Sequence, residues 1–502
     1  MKMNLLNKSE DITLENYFSS FREQVIGNNE YFESPYGRKK IVYADWISSG
    51  RLYNPIEEKL KNEFGPFVGN THTETSVTGS SMTIAYHIAR QTIKDHVNAN
   101  STDIIITSGS GMTGVVNKFQ RILGIKLPDK LKGYLKIDDE LKPVVFVTHM
   151  EHHSNHTSWL ETIADVECIA PTSEGLVDLN DFENLIKKYE NRKTKIAAVS
   201  ACSNVTGIMN PVHKIAKLIH LYGGFCFVDY ACSAPYVNIN MHPEDPLEKL
   251  DAIYFSPHKF LGGPGSSGVL IFDSELYSSK VPDQPGGGTV EWTNPWGEHK
   301  YVEDIESRED GGTPAFLQSI KAALCVKLKE EMGSDNILKR EEEMLPVLFN
   351  GLEKIKGMHI LANNIQDRLC VISFFIDDLH YNLCVKLLND HFGVQVRGGC
   401  SCAGTYGHYL LHISRDYSNK LTRKIDEGDL SSKPGWVRLS VHPIMTDAEI
   451  DYVLHAINEV ATKSKKWKND YIYNPMINEF TIKRHKKQDL EMQMVKKWFS
   501  NV

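Results

Sequence analysis

A recurrence constrains this chain most. Short, almost wholly apolar runs alternate with stretches of helical periodicity, and each run ends in a polar cluster. Asp103-Ile-Ile-Ile-Thr107 leads into Ser108-Gly-Ser-Gly-Met-Thr-Gly114, and Pro143-Val-Val-Phe-Val-Thr148 into His149-Met-Glu-His-His-Ser-Asn155. Ala197–Ser200 leads into Ala201-Cys-Ser-Asn-Val-Thr-Gly207, Gly224–Val228 into Asp229-Tyr-Ala231, and Ala252–Phe255 into Ser256-Pro-His-Lys259. Strands that are apolar on both faces belong in a parallel sheet covered on both sides. Helical segments at 181–189 and 213–220 supply cover. The expected fold class is α/β with a mainly parallel central sheet and a smaller α+β C-terminal domain.

In open α/β sheets ligands bind beyond the C-terminal ends of the strands. All five polar clusters share that edge. Lys259 sits there between Ser256, His258 and the loop Gly262-Gly263-Pro264-Gly265. A lysine becomes a nucleophile toward carbonyls when burial or a neighbouring cation lowers its pKa. Ser110 and Gly111 precede a helix, whose free N–H groups and positive dipole end suit an anion. Gly109 to Gly114 also spells GxGxxG. A dinucleotide cradle needs an acidic residue about 20 positions further on, where this chain has Lys126-Leu-Pro-Asp-Lys130 and no strand pattern. The reading is a phosphate cup, with a nicotinamide-dependent oxidoreductase kept as an alternative.

A length of 502 residues exceeds one ordinary core. The expected division is an N-terminal extension at 1–40, a large α/β domain at 41–332, a small α+β domain at 333–462 and a basic tail at 463–502. A net charge of -8 argues against a nucleic-acid partner. No apolar run reaches membrane-span length, and Met1 to Glu10 lack a signal-peptide core. Nine cysteines, several inside apolar runs (Cys226, Cys370, Cys384), suit a reducing cytoplasm.

The ordered set Ser110-Gly111, Glu151-His-His-Ser-Asn155, Ser203-Asn204, Asp229-Tyr-Ala231, Ser256-Pro-His-Lys259 and Arg438-Leu-Ser440 resembles the class V aminotransferase family of fold-type-I pyridoxal-phosphate (PLP) enzymes. Within it, the set is similar to the cysteine desulfurase and selenocysteine lyase branch. The likeness spans roughly residues 41 to 462. It implies a homodimer acting on an amino acid, with pyridoxal 5'-phosphate on Lys259 as an aldimine. Asp229 would pair with the ring nitrogen, His152 and Ala231 would pack on its two faces, and Asn204 would bond the ring oxygen. Ser110, Gly111, Ser256 and His258 would hold the phosphate, joined by Thr289 from the neighbouring subunit. Arg438 would clamp the substrate carboxylate. Cys402, in Arg397-Gly-Gly-Cys-Ser-Cys402, would accept sulfur as a persulfide and pass it to a sulfur-acceptor protein.

The chain departs from the family pattern in places. Cys232 stands where a glutamine is usual, Gly111 where a threonine is usual, and Cys400 and Ser401 replace histidines before the nucleophile. These leave another class V reaction as an alternative, an aminotransferase, C–S lyase or epimerase in which Cys402 is no nucleophile. A non-catalytic binding protein and a zinc site of Cys400, Cys402, His408 and His412 are weaker readings, the latter because Cys-x-Cys is not the usual ligand spacing.

Overall fold

The computed structural model describes residues 13–71, 73–483 and 487–500, without the side chains of 487–490. The stretch read as lacking a signal peptide lies outside the described residues, as does His72. A seven-stranded sheet is built from β1 (Asp103–Ser108), β2 (Val144–Thr148), β3 (Asp165–Ile169), β4 (Lys195–Ser200), β5 (Phe225–Asp229), β6 (Ala252–Phe255) and β7 (Gly268–Asp273). Their order is β1-β7-β6-β5-β4-β2-β3. The pairs β2–β3, β2–β4, β4–β5 and β5–β6 are parallel. Only β7 runs against its neighbours, so β1 points the same way as the other five. The expected mainly parallel sheet is what the chain forms.

Alternate side chains of these strands enter two separate cores. Phe146, Ala197, Val199, Val228, Ile253 and Phe255 belong to one. Val145, Val147, Ala198, Phe227, Ala252 and Tyr254 belong to the other, closed by Phe119 and Trp159 from the helices Met112–Ile122 and His153–Leu160. This two-sided burial is why the central strands read as unbroken apolar runs. Strand β3 sits at the sheet edge and is mostly half-buried, so its Asp165 and Glu167 break the apolar pattern that marks the others.

The C-terminal part holds an antiparallel sheet of β8 (Met358–Ile360), β9 (Val371–Ile376), β10 (Arg397–Gly399) and β11 (Trp436–Ser440), ordered β8-β9-β11-β10. The helix Asp447–Trp467 starts at a capping box, Thr446 with Glu449. It runs past the expected boundary at 462, because Ser464 is still buried and its lysines fall on the wet face. A hairpin of Tyr471–Asn474 and Glu479–Ile482 follows. Buried Tyr471 pins it by donating to Asp390 Oδ2 at 3.0 Å.

One early segment is built into the C-terminal part. Val42–Tyr43 pairs in parallel with Val394–Gln395. Ser440 N–H donates to the Ala44 carbonyl at 2.9 Å. Asp45 is thereby delivered to the end of β11. Among the described residues no helix is long and apolar enough to cross a membrane.

Candidate functional site

A cavity of about 210 Å³ lies beyond the C-terminal ends of β1, β2, β4, β5 and β6. Of the residues singled out from sequence, His152, Asn204, Asp229, Ala231, Ser256, His258, Lys259, Cys402 and Arg438 line it. Ser110, Gly111 and Thr289 are not in its wall. Beyond β1 the chain turns through Gly109 at φ +60°, a left-handed shape glycine adopts without strain. That turn leaves Ser110 exposed and brings Met112 and Thr113 to the cavity instead. Gly111 sits just behind: a Cβ there would meet Ser256 Oγ at 3.0 Å. Met112 N–H, in the first turn of its helix, donates to Ser256 Oγ at 2.8 Å. The hydroxyl of buried Thr289 is given to the Gly286 carbonyl at 2.7 Å.

Lys259 closes a short 3-10 turn, Pro257–Lys259. The next turn presses back on it: a Cβ on Gly263 would lie 1.8 Å from the Pro257 carbonyl oxygen, so only glycine fits. Among the described residues nothing hydrogen-bonds the Lys259 amine. Burial lowers its pKa, with Asp229 opposing and Arg438 and Arg397 assisting. Asp229, at the end of β5, accepts one bond, from Ala231 N–H at 2.8 Å. Burial pushes its carboxyl up to about 7, against the pull of that N–H and of Lys259.

His152 caps the helix His153–Leu160, its Nδ1 accepting from Ser154 N–H at 3.1 Å. That bond puts the ring proton on Nε2. Burial and then Lys259 push its pKa down to about 3, so the imidazole is neutral. Glu151 beneath it is fully enclosed. It accepts from the Thr148 hydroxyl at 2.6 Å, Ser200 N–H at 2.9 Å and Asn155 Nδ2 at 2.7 Å, tying the ends of β2 and β4 together.

Several residues in or just behind the wall had no role assigned from sequence. Asp45 Oδ1 accepts from buried Arg438 at 2.8 Å, and Asp45 Oδ2 accepts from Arg397 Nε at 3.2 Å. Arg438 also donates to the Asn204 carbonyl at 3.1 Å and to Ser48 Oγ. The available signal was Asp45 ending an apolar run, as the other candidates do. Cys232 Sγ lies 3.6 Å from Cys202 Sγ and 3.5 Å from the Ser203 carbonyl. The Cys402 loop is tied down: Asn204 Nδ2 donates to the Ser401 carbonyl at 2.7 Å, and Trp436 Nε1 donates to Ser401 Oγ at 3.1 Å.

These residues fit a phosphorylated, cationic aromatic ring. Asp229 is a carboxylate buried with too few donors, which a protonated ring nitrogen would correct. Asn204 Oδ1 and Arg438 Nε are buried without a hydrogen-bond partner among the described residues. A helix N-terminus with Thr113, Ser256 and His258 offers donors to an anion at one end of the cavity.

Comparison with known proteins places the chain in a family and a fold. Residues 42–453 match the family model described as aminotransferase class-V. A probable cysteine desulfurase of Staphylococcus epidermidis is 30% identical over 383 residues, covering 76% of this chain and 87% of the relative. One of Halalkalibacterium halodurans is 28% identical over 367 residues, covering 72% and 84%. Among solved structures, the apo cysteine desulfurase of Thermococcus onnurineus has a TM-score of 0.70 at 23% identity, covering 88% of this chain and 98% of that one. Escherichia coli CsdA, in an S-sulfonic acid form, gives 0.67 at 20%, covering 89% and 98%. At those identities the two structures show the shared fold alone.

Proposed function

We propose, from the premise that this chain belongs to the aminotransferase class-V family of PLP enzymes, that it removes sulfur or selenium from a cysteine-like amino acid. The observation that carries this is one cavity wall holding an unbonded lysine, a poorly solvated carboxylate and an exposed thiol together.

Lys259 would anchor the cofactor, Asp229 would face its ring nitrogen, and His152 and Ala231 would bracket the ring. Asn204 would face its ring oxygen. Ser256, His258 and the helix end at Gly111 to Thr113 would take its phosphate, with Ser110 beside them. PLP bound there supplies an electron sink for negative charge at the substrate α-carbon. Arg438 orients the substrate through its carboxylate, for which a planar fork is suited. Its fork is already aimed by Asp45 and the Asn204 carbonyl. The Lys259 amine, its pKa lowered by burial, takes the α-proton. Neutral His152 donates and accepts protons at Nε2. Cys402 Sγ, as thiolate, attacks the substrate sulfur. An S–S bond forms as the C–S bond breaks, the electron pair stays with the carbon fragment, and two protons complete alanine, one at the β-carbon and one returned to the α-carbon. The persulfide remains on Cys402 for a sulfur-acceptor protein. A cytoplasmic homodimer belongs to the same reading, with Thr289 turning from Gly286 toward a second subunit's phosphate.

One observation favours a second reading, a class V reaction without Cys402 chemistry: the Cys402 loop is bonded down. Incubation of the purified holoenzyme with L-cysteine separates the two. The first reading expects alanine and sulfide in the presence of a reductant, and loss of both in Cys402→Ala. Full turnover by that variant hands the site to the second reading.

A further inference from the structure

Ser401 and Cys402 both lie in the left-handed backbone region, at φ +52° and +56°. Side-chain-bearing residues disfavour that shape, and two in succession persist only where neighbours impose it. One neighbour grips the loop on both sides of Ala403. The His153 backbone N–H donates to the Cys402 carbonyl at 2.7 Å, and His153 Nε2 accepts from Gly404 N–H at 2.9 Å. The fit is close, since a Cβ on residue 404 would stand 3.1 Å from that same nitrogen. The adjacent residue, His152, lines the cavity. A single dipeptide therefore joins the cavity wall to the loop bearing the thiol.

We propose that His153 is a positioning residue for Cys402: with its ring Nε2 accepting the Gly404 N–H and its backbone N–H on the Cys402 carbonyl, it holds the thiol in the cavity wall. This deepens the desulfurase reading and rests on it for the nucleophilic role of Cys402. The grip itself stands on the two hydrogen bonds. An acceptor at Nε2 requires the proton on Nδ1. Burial and nearby Lys433 favour the uncharged ring, and the other titratable neighbours are His152 and His156.

The test compares wild-type holoenzyme with His153→Ala, His153→Gln and Cys402→Ala. The glutamine keeps an acceptor at about the distance of Nε2. Three readouts are followed: alkylation of Cys402 by iodoacetamide, read by peptide mass spectrometry; sulfide released from L-cysteine; and the absorbance change on adding L-alanine, which needs no thiol. His153→Ala is expected to change the Cys402 alkylation rate severalfold and to lower sulfide release about tenfold or more, as misplacement of a reacting group does. The L-alanine response should stay within about twofold, and His153→Gln should recover most of the sulfide release. An unchanged alkylation rate in His153→Ala overturns the proposal. So does an equal loss of sulfide release and L-alanine response, which would mark a general defect. If Cys402→Ala still releases sulfide, the desulfurase reading fails, while the alkylation comparison still decides whether His153 holds the loop.

Discussion

The floor of the cavity and the loop beside it are made in opposite ways. The floor is a set of strand ends. Asp229 closes β5, Lys259 follows β6, and His152 follows β2, each fixed by a sheet buried on both faces. The loop from Cys400 to Gly404 has no such scaffold. Two of its residues sit in a disfavoured backbone region, held by side chains from elsewhere: Asn204, Trp436 and His153. The floor obtains its chemistry from burial, which shifts Lys259 down and Asp229 up. The loop keeps its thiol exposed. The proposed function asks for both: rigid, desolvated surroundings for a cofactor, and a thiol within reach of a second molecule.

The comparison can be broken from the floor first. Lys259→Ala should abolish the borohydride-reducible adduct and cost about 10²–10⁴-fold or more in turnover, read by absorbance and alanine release. Cys402→Ala should be nearly as severe for sulfide release yet leave the cofactor spectrum intact. If both variants lose the spectrum, floor and loop are one unit and the contrast is void.

Asp229 gives a pH-dependent test. Its carboxyl holds a proton to about pH 7 in the folded chain and loses it near 3.8 when unfolded. The native state thus binds the extra proton between those values, and cofactor-free protein should lose stability as pH rises through that window. Asp229→Asn should remove the slope. The gap between variant and wild type should grow by up to about 4 kcal/mol toward pH 7, measured by chemical denaturation without cofactor. The smallest effect concerns the loop. Cys402→Gly should exceed Cys402→Ala in stability by about 1 kcal/mol, because glycine accepts the left-handed conformation freely. Equal melting temperatures would mean that the loop stores no strain.

Much of the floor was legible in the chain. Apolar runs ending in Asp229, His152 and Lys259 announced both the parallel sheet and the edge at which side chains converge. Strand β3 was not legible, because an edge strand carries Asp165 and Glu167 on its wetter positions. Ser110 reads in the chain as an anion contact like its neighbours, and only the Gly109 turn shows it exposed while Met112 and Thr113 line the cavity. His153 was visible only as one letter of a motif. Asp45 lies 393 positions from the arginine it aims, and no local pattern joins the two.

By itself the sequence determined the elements whose stability is local or periodic: the buried strands, the helices that cover them, and the residue types at each strand end. Folding in three dimensions decided which distant groups meet. The Asp45 bridge between Arg438 and Arg397, the enclosed Glu151 that joins β2 to β4, and the grip of His153 on the Cys402 loop all depend on it. Hydrophobic periodicity is written into neighbouring residues because burial acts along one strand or helix at a time. A hydrogen bond or ion pair between remote segments has no period. It comes into being only once the sheets have packed and water has been excluded between them.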